Sequence, residues 1–173
     1  MSIPERYIPE SLSNKDKEKQ RENILKARKS YIKHKYLARP TLSSFHSKPS
    51  NHIQNAKKMY DVENVRPTPE LAKKTKCSLS ALRKIVNKGE GAYFSQGSRP
   101  NQTAQSWGYA RLGSAITGKN ASIVDYHILE KGCKSNSPAL LMAKKTCKKQ
   151  GKCKLQRTRK NKNNNLAIKH IKK

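Results

Sequence analysis

Apolar positions recur at helical spacing in only a few windows of this chain, and the clearest lie between Val65 and Gly132. Leu71 and Ala72 form one short inward face. Leu79, Leu82, Ile85 and Val86 form the next, with Lys76-Cys77-Ser78 as the turn between them. Thr68 and Ser78 stand where helix caps belong, Pro69 at a first helical position, and Glu70 where a carboxylate suits the helix dipole. The spacing predicts that the second helix stops at Lys88-Gly89, followed by an irregular glycine-marked connection from which Tyr93 and Phe94 pack on the core. Thr103 then caps a helix reaching Ile116, with Trp107, Ala110, Arg111 and Ser114 along one face and Trp107 stacked on Arg111. Ser122 with Asp125 reads as a capping-box-like start. The expected core is Leu71, Leu82, Ile85, Tyr93, Trp107, Ile116, Val124 and Ile128.

The flanks are thinner in apolar residues. Pro4 and Pro9 favour extended backbone, and Ile3, Tyr7, Ile8 and Leu12 are candidate anchors on another surface. Ser13 or Asn14 caps a helix running to about Tyr36. It has a narrow stripe that includes Ile24, Ala27 and Tyr31, and a broad basic back. Residues 38–52 read as a linker, and a short helix over Ile53–Tyr60 follows. Ser137 and Pro138 open a C-terminal helix carrying Leu140, Leu141 and Met142, and beyond Gly151 the chain is a basic, Asn-rich tail. The fold class expected is mainly α. It comprises an N-terminal arm with one long helix and a linker (1–60), a compact helical core (61–132) and a basic C-terminal helix and tail (133–173).

Charge sharpens this division. Residues 61–132 carry 11 Lys or Arg and 6 Asp or Glu, residues 1–60 carry 14 and 5, and residues 133–173 carry 14 and 0. Hydrophobic residues make up 34% of the chain and the net charge is +28. Arms so cationic and so poor in apolar surface gain too little from burial to order without a partner. The partner must be anionic: nucleic acid, a membrane surface or an acidic protein face. No apolar run approaches the roughly 18 residues of a membrane span, and the N-terminus lacks the basic-then-apolar order of a signal peptide. A reducing compartment is therefore expected, with the four cysteines as free thiols.

The segment ELAKKTKCSLSALRKIVN resembles a helix–turn–helix unit, which would point Ser78, Ser80, Arg83, Lys84 and Asn87 into a DNA major groove. The usual turn glycine is Lys76 here. Arg99, Arg111, Lys144, Lys145, Lys148 and Lys149 are further candidates for contacting nucleic acid or a protein partner. His127, Cys133, Cys147 and Cys153 could supply four zinc ligands, but their x5, x13 and x5 spacings are not those of a zinc knuckle, and free thiols are the preferred reading. A Cys147–Cys153 disulfide is the alternative in oxidising conditions. No acid, base and nucleophile converge, so an enzyme is not expected, and no cofactor is called for.

From Cys77 to Cys133 the chain also resembles a small uncharacterised domain of giant and algal DNA viruses and tailed phages, with an RPxxTxxxWxxAR core. The matching residues are Lys88, Gly89, Gly91, Ala92, Tyr93, Arg99, Pro100, Thr103, Trp107, Ala110, Arg111 and Asp125, with Tyr93 where the pattern has Trp. The resemblance implies a viral origin and a non-enzymatic role. Combined with the basic arms, it makes the first expectation a virion structural protein, a minor capsid or internal component. Its arms would thread between other capsid proteins in a large assembly and lie on acidic surfaces, DNA or an internal membrane. The second expectation is a helix–turn–helix-like DNA-binding protein.

Overall fold

The start signals in the sequence are used where they stand. The hydroxyls of Ser13, Thr68, Ser78, Thr103 and Ser137 each accept a backbone N–H from the residue three positions on. In this computed structural model, which describes residues 2–151, a 3-10 turn at Glu5–Tyr7 precedes α1 (Asn14–Ile32), α2 (Asn51–Tyr60), α3 (Pro69–Thr75) and α4 (Leu79–Gln96). Then come α5 (Ala104–Ile116), α6 (Asn120–Val124), α7 (Tyr126–Gly132) and α8 (Pro138–Gln150). The protein is mainly α, as expected. Among the described residues, no helix is long and apolar enough to cross a membrane.

The largest departure from expectation is α4, which does not stop at Gly89 but runs unbroken through Gly89 and Gly91 to Gln96. Gly89 serves packing between helices rather than a turn. A Cβ on Gly89 would lie 2.6 Å from the Gly108 Cα, and one on Gly108 would lie 2.9 Å from the Val86 carbonyl oxygen. Both missing Cβ atoms let the α4 and α5 backbones touch, and the pair forms the centre of the molecule. Leu71, Leu82, Ile85, Leu112, Ile116 and Leu129 are fully sunk around it, joined by Tyr60 and Tyr126. α8 closes the core with Ala139, Leu140, Ala143 and Cys147.

Two expected core residues sit elsewhere. Val124 is 37% exposed. α6 spans only five residues and yields to α7 at Asp125, so its neighbour Ile123 takes the inward place. The expected capping box is also not formed: α6 starts after Lys119, and the buried Ser122 hydroxyl makes no hydrogen bond. Trp107 is half-buried, meeting the Tyr7 ring edge-on at 5.7 Å. It therefore fills a seam between α5 and the N-terminal segment, and it is Tyr7 that is buried.

The N-terminal segment lies on the core along this seam. Tyr7, Leu12, Ile24 and Ala27 are buried. The buried Gln20 amide donates to the carbonyls of Tyr7 and Ser98 at 3.0 and 3.1 Å. Arg28 donates to the Gln96 carbonyl at 2.6 Å, capping the C-terminal end of α4 with a cation. α1 ends at Ile32, four residues short of the expected Tyr36. The Ser- and Pro-rich stretch between α1 and α2 has no helix, yet it is fastened down. Arg39 lays its guanidinium over the Tyr93 ring at 3.6 Å and donates to Ser98 Oγ at 2.6 Å. Asn101 exchanges hydrogen bonds with the backbone of Leu42 at 2.8 and 3.0 Å, and Leu42 is buried.

The glycine crossing yields a direct expectation. Alanine normally strengthens a helix interior by up to about 1 kcal/mol over glycine. Here its methyl meets backbone, which cannot rotate away, so overpacking at about 1–3 kcal/mol outweighs the gain. Gly89→Ala is therefore expected to lower the urea midpoint of unfolding, and Gly108→Ala to do the same.

Candidate nucleic-acid interface

α3 and α4 are joined by three residues whose conformation explains the missing glycine. Lys76 takes the left-handed conformation (φ 55°, ψ 33°) that closes a helix C-terminus. Its own N–H and that of Cys77 turn back to the carbonyls of Lys73 and Ala72 at 3.2 and 3.1 Å. This is a Schellman closure, in which glycine is the usual occupant. Leu71, Thr75, Cys77, Leu82 and Ile85 all point inward from the two helices and the turn. Ser78, Ser80, Arg83, Lys84 and Asn87 are all exposed, Ser78 as the cap of α4 and the other four in its first half. α1 meets α4 farther along, at Gly91, Gln96 and Gly97, so α1 does not cover that row.

The thiol expectation is overturned at this turn. Cys77 and Cys133 form a disulfide, with sulfurs 2.00 Å apart. They face each other across an isolated antiparallel bridge, in which Ser78 donates to the Gly132 carbonyl at 2.7 Å and Lys134 to the Lys76 carbonyl at 2.9 Å. Cys147 is disulfide-bonded as well, and no described cysteine is a free thiol. The four-ligand zinc set is thereby broken up: Cys133 and Cys147 are committed to disulfides, and Cys153 lies outside the described residues, as does the suggested Cys147–Cys153 pairing. His127 is partly buried. Burial first, then Lys88 and Lys131, push its imidazole below the ordinary range, against the opposing pull of Asp125. The bridge has a second effect that the sequence did not suggest: it sets Lys134 beside Lys76 at the start of α4.

Arg111, expected to be available to a partner, is taken up internally. Its Nε and Nη2 donate to the two carboxylate oxygens of Asp125 at 2.7 and 2.9 Å, and Lys88 Nζ reaches Asp125 Oδ1 at 2.6 Å. Asp125 is fully buried at the joint of α6 and α7, so three segments of chain converge on one carboxylate. The two cations keep part of their surface in water while the anion keeps none. Arg99 is exposed in the connection between α4 and α5, and Lys144, Lys145, Lys148 and Lys149 are exposed on α8, which packs on α5, α6 and α7. These cations belong to surfaces apart from the α3–α4 row. Removing the shared anion leaves two cations facing a buried vacancy, a loss of about 3–5 kcal/mol for a buried pair. Asp125→Ala is expected to cost that much by chemical denaturation, well above the effect of Lys88→Gln, which leaves the bidentate Arg111 contact in place.

No curated protein and no solved structure is significantly similar to this chain. The model of a family described only as a family of unknown function matches residues 4–127 of the 173. The match reaches back through α1 and the fastened stretch after it, which lie outside the resemblance over residues 77–133, and it stops before Cys133. Since the match takes in well over half of the chain, this protein is a member of that family of unknown function, DUF5824.

Proposed function

We propose that this chain binds duplex DNA, with the first half of α4 lying in a major groove. One observation carries the reading. The α3–turn–α4 unit sinks Leu71, Cys77, Leu82 and Ile85 while leaving Ser80, Arg83, Lys84 and Asn87 as an uncovered polar row at the start of the second helix. In helix–turn–helix readers that part of the second helix meets base edges. Arg83 has the fork that pairs with guanine N7 and O6, and Asn87 the amide that pairs with adenine N6 and N7. Lys84, Lys76 and Lys134 ring the helix start and suit phosphates. The charge of +28 supplies affinity that is independent of sequence. Arg111 plays no part in this reading, being held by Asp125.

A second reading, the minor capsid or internal component of a large DNA virus, draws its viral setting from the resemblance described above. It is favoured by apolar side chains left outside the fold: Leu25 and Ile32 are exposed seven residues apart on α1. Tyr7, Leu12 and Leu140 are not available to it as anchors, since they are buried within the chain.

The readings separate on three variants. In fluorescence anisotropy with duplex pools over a salt series, Arg83→Ala is expected to erase about 1–3 kcal/mol of sequence preference and leave non-specific binding in place. Lys84→Ala should weaken all sequences alike and reduce the salt slope by about one. Duplex binding without preference in the unaltered protein would defeat the groove reading. For the capsid reading, Leu25→Glu with Ile32→Glu should exclude the chain from purified particles, as counted by mass spectrometry, while duplex affinity stays unchanged.

A further inference from the structure

The stretch from Asn23 to Tyr60 contains nine Lys or Arg and no Asp or Glu, and the α3–α4 row uses none of it. Where this stretch crosses the far end of α4, aromatic rings meet at the surface. Tyr36, four residues past the end of α1, is edge-on to Tyr31 at 5.8 Å and to Phe94 of α4 at 5.2 Å. Phe94 is in turn edge-on to Tyr93 at 5.0 Å. Tyr93 is buried, and Arg39 covers its ring, so the row has a fixed inner end. Gly91 of α4 faces this crossing, with Tyr31 Oη 3.7 Å from where a Cβ would stand. The outer end is open. Tyr36 is 64% exposed, Tyr31 and Phe94 are half-buried, and Lys33 and Lys35, which lie between Tyr31 and Tyr36 in the chain, are exposed.

Exposed rings held in place by other rings, beside exposed lysines in an acid-free stretch of sequence, match one ligand chemistry closely. An unpaired nucleobase offers a flat π-face, and the phosphates on either side of it offer negative charge. An acidic peptide would use the lysines and leave the rings idle. We propose that Tyr31, Tyr36 and Phe94 form a stacking platform for the bases of a single-stranded nucleic acid, whose phosphates lie on Lys33 and Lys35. This site is separate from the duplex reading. Phe94 lies 11 residues beyond Arg83 on the same helix, about 16 Å at 1.5 Å per residue, and the two sites share no residue.

The test is fluorescence anisotropy of the full chain with labelled oligo-dT and oligo-rU at physiological salt, with inorganic polyphosphate as competitor. Tyr36→Ala is expected to weaken binding by about ten-fold, whereas Tyr36→Phe, which keeps the ring, stays within about two-fold. Lys33→Gln with Lys35→Gln should flatten the salt slope by about 1.4, the value for two single-strand phosphates. Arg83→Ala should leave single-strand binding unchanged, so failure here and failure of duplex recognition can be told apart. A preference for oligo-dT or oligo-rU identifies the strand as DNA or RNA. The proposal is overturned if neither oligomer binds or if Tyr36→Ala binds as the unaltered chain does. It also fails if polyphosphate displaces the oligomers equally from both, the result expected of a surface for acidic protein. Ultraviolet crosslinking of oligo-rU to the unaltered chain, mapped by mass spectrometry, needs no variant to fold. Adducts at Tyr31, Tyr36 or Phe94 support the platform, and adducts confined to other residues refute it.

Discussion

How closely α4 and α5 can approach sets the shape of everything around them. Where Gly89 faces Gly108 there is no side chain between the two backbones. That contact decides which residues of α4 face inward, and so which face outward. Ser80, Arg83, Lys84 and Asn87 form an uncovered row because the opposite side of the same helix is locked against α5 and α3. The far end of α4 is presented to α1 by the same placement, which brings Phe94 under Tyr36. A small core can support such a long helix because its contacts are dense, even though hydrophobic content is low.

Electrostatics divides the molecule differently from packing. Among the described residues most cations lie at the surface, whereas Asp125 is an anion with no access to solvent. Holding Arg111 and Lys88 on that carboxylate removes two cations from the excess and ties α4, α5 and the α6–α7 joint together. The remaining excess can lower its self-repulsion only by meeting anions from outside. Both binding surfaces inferred here lie where the fold leaves cations without acidic neighbours in sequence, beside side chains able to contact bases.

Much of the fold was legible because helix starts are written locally. Five Ser or Thr caps, two with Pro beside them, fall where a sequence reading places them. The inward face of the α3–α4 unit was equally legible, since Leu71, Leu82 and Ile85 follow helical spacing. The errors came from long-range causes. Gly89 looks like a stop signal unless one knows that Gly108 will lie against it. The Cys77–Cys133 bond joins residues 56 positions apart, and no local spacing announces it. Arg111 on α5 and Asp125 at the α6–α7 joint are 14 apart, so their pairing is likewise silent in the sequence. Trp107 is expected in the interior as core packing from one face of α5, but Tyr7, one hundred residues earlier, takes the buried place.

The bond between Cys77 and Cys133 encloses all of α4, α5, α6 and α7 in one covalent ring. A single protease cut anywhere from Ser78 to Gly132 opens that ring without releasing a fragment. The exposed row on α4 would stay attached to both flanking arms after such a nick, and only a reductant would let the pieces separate.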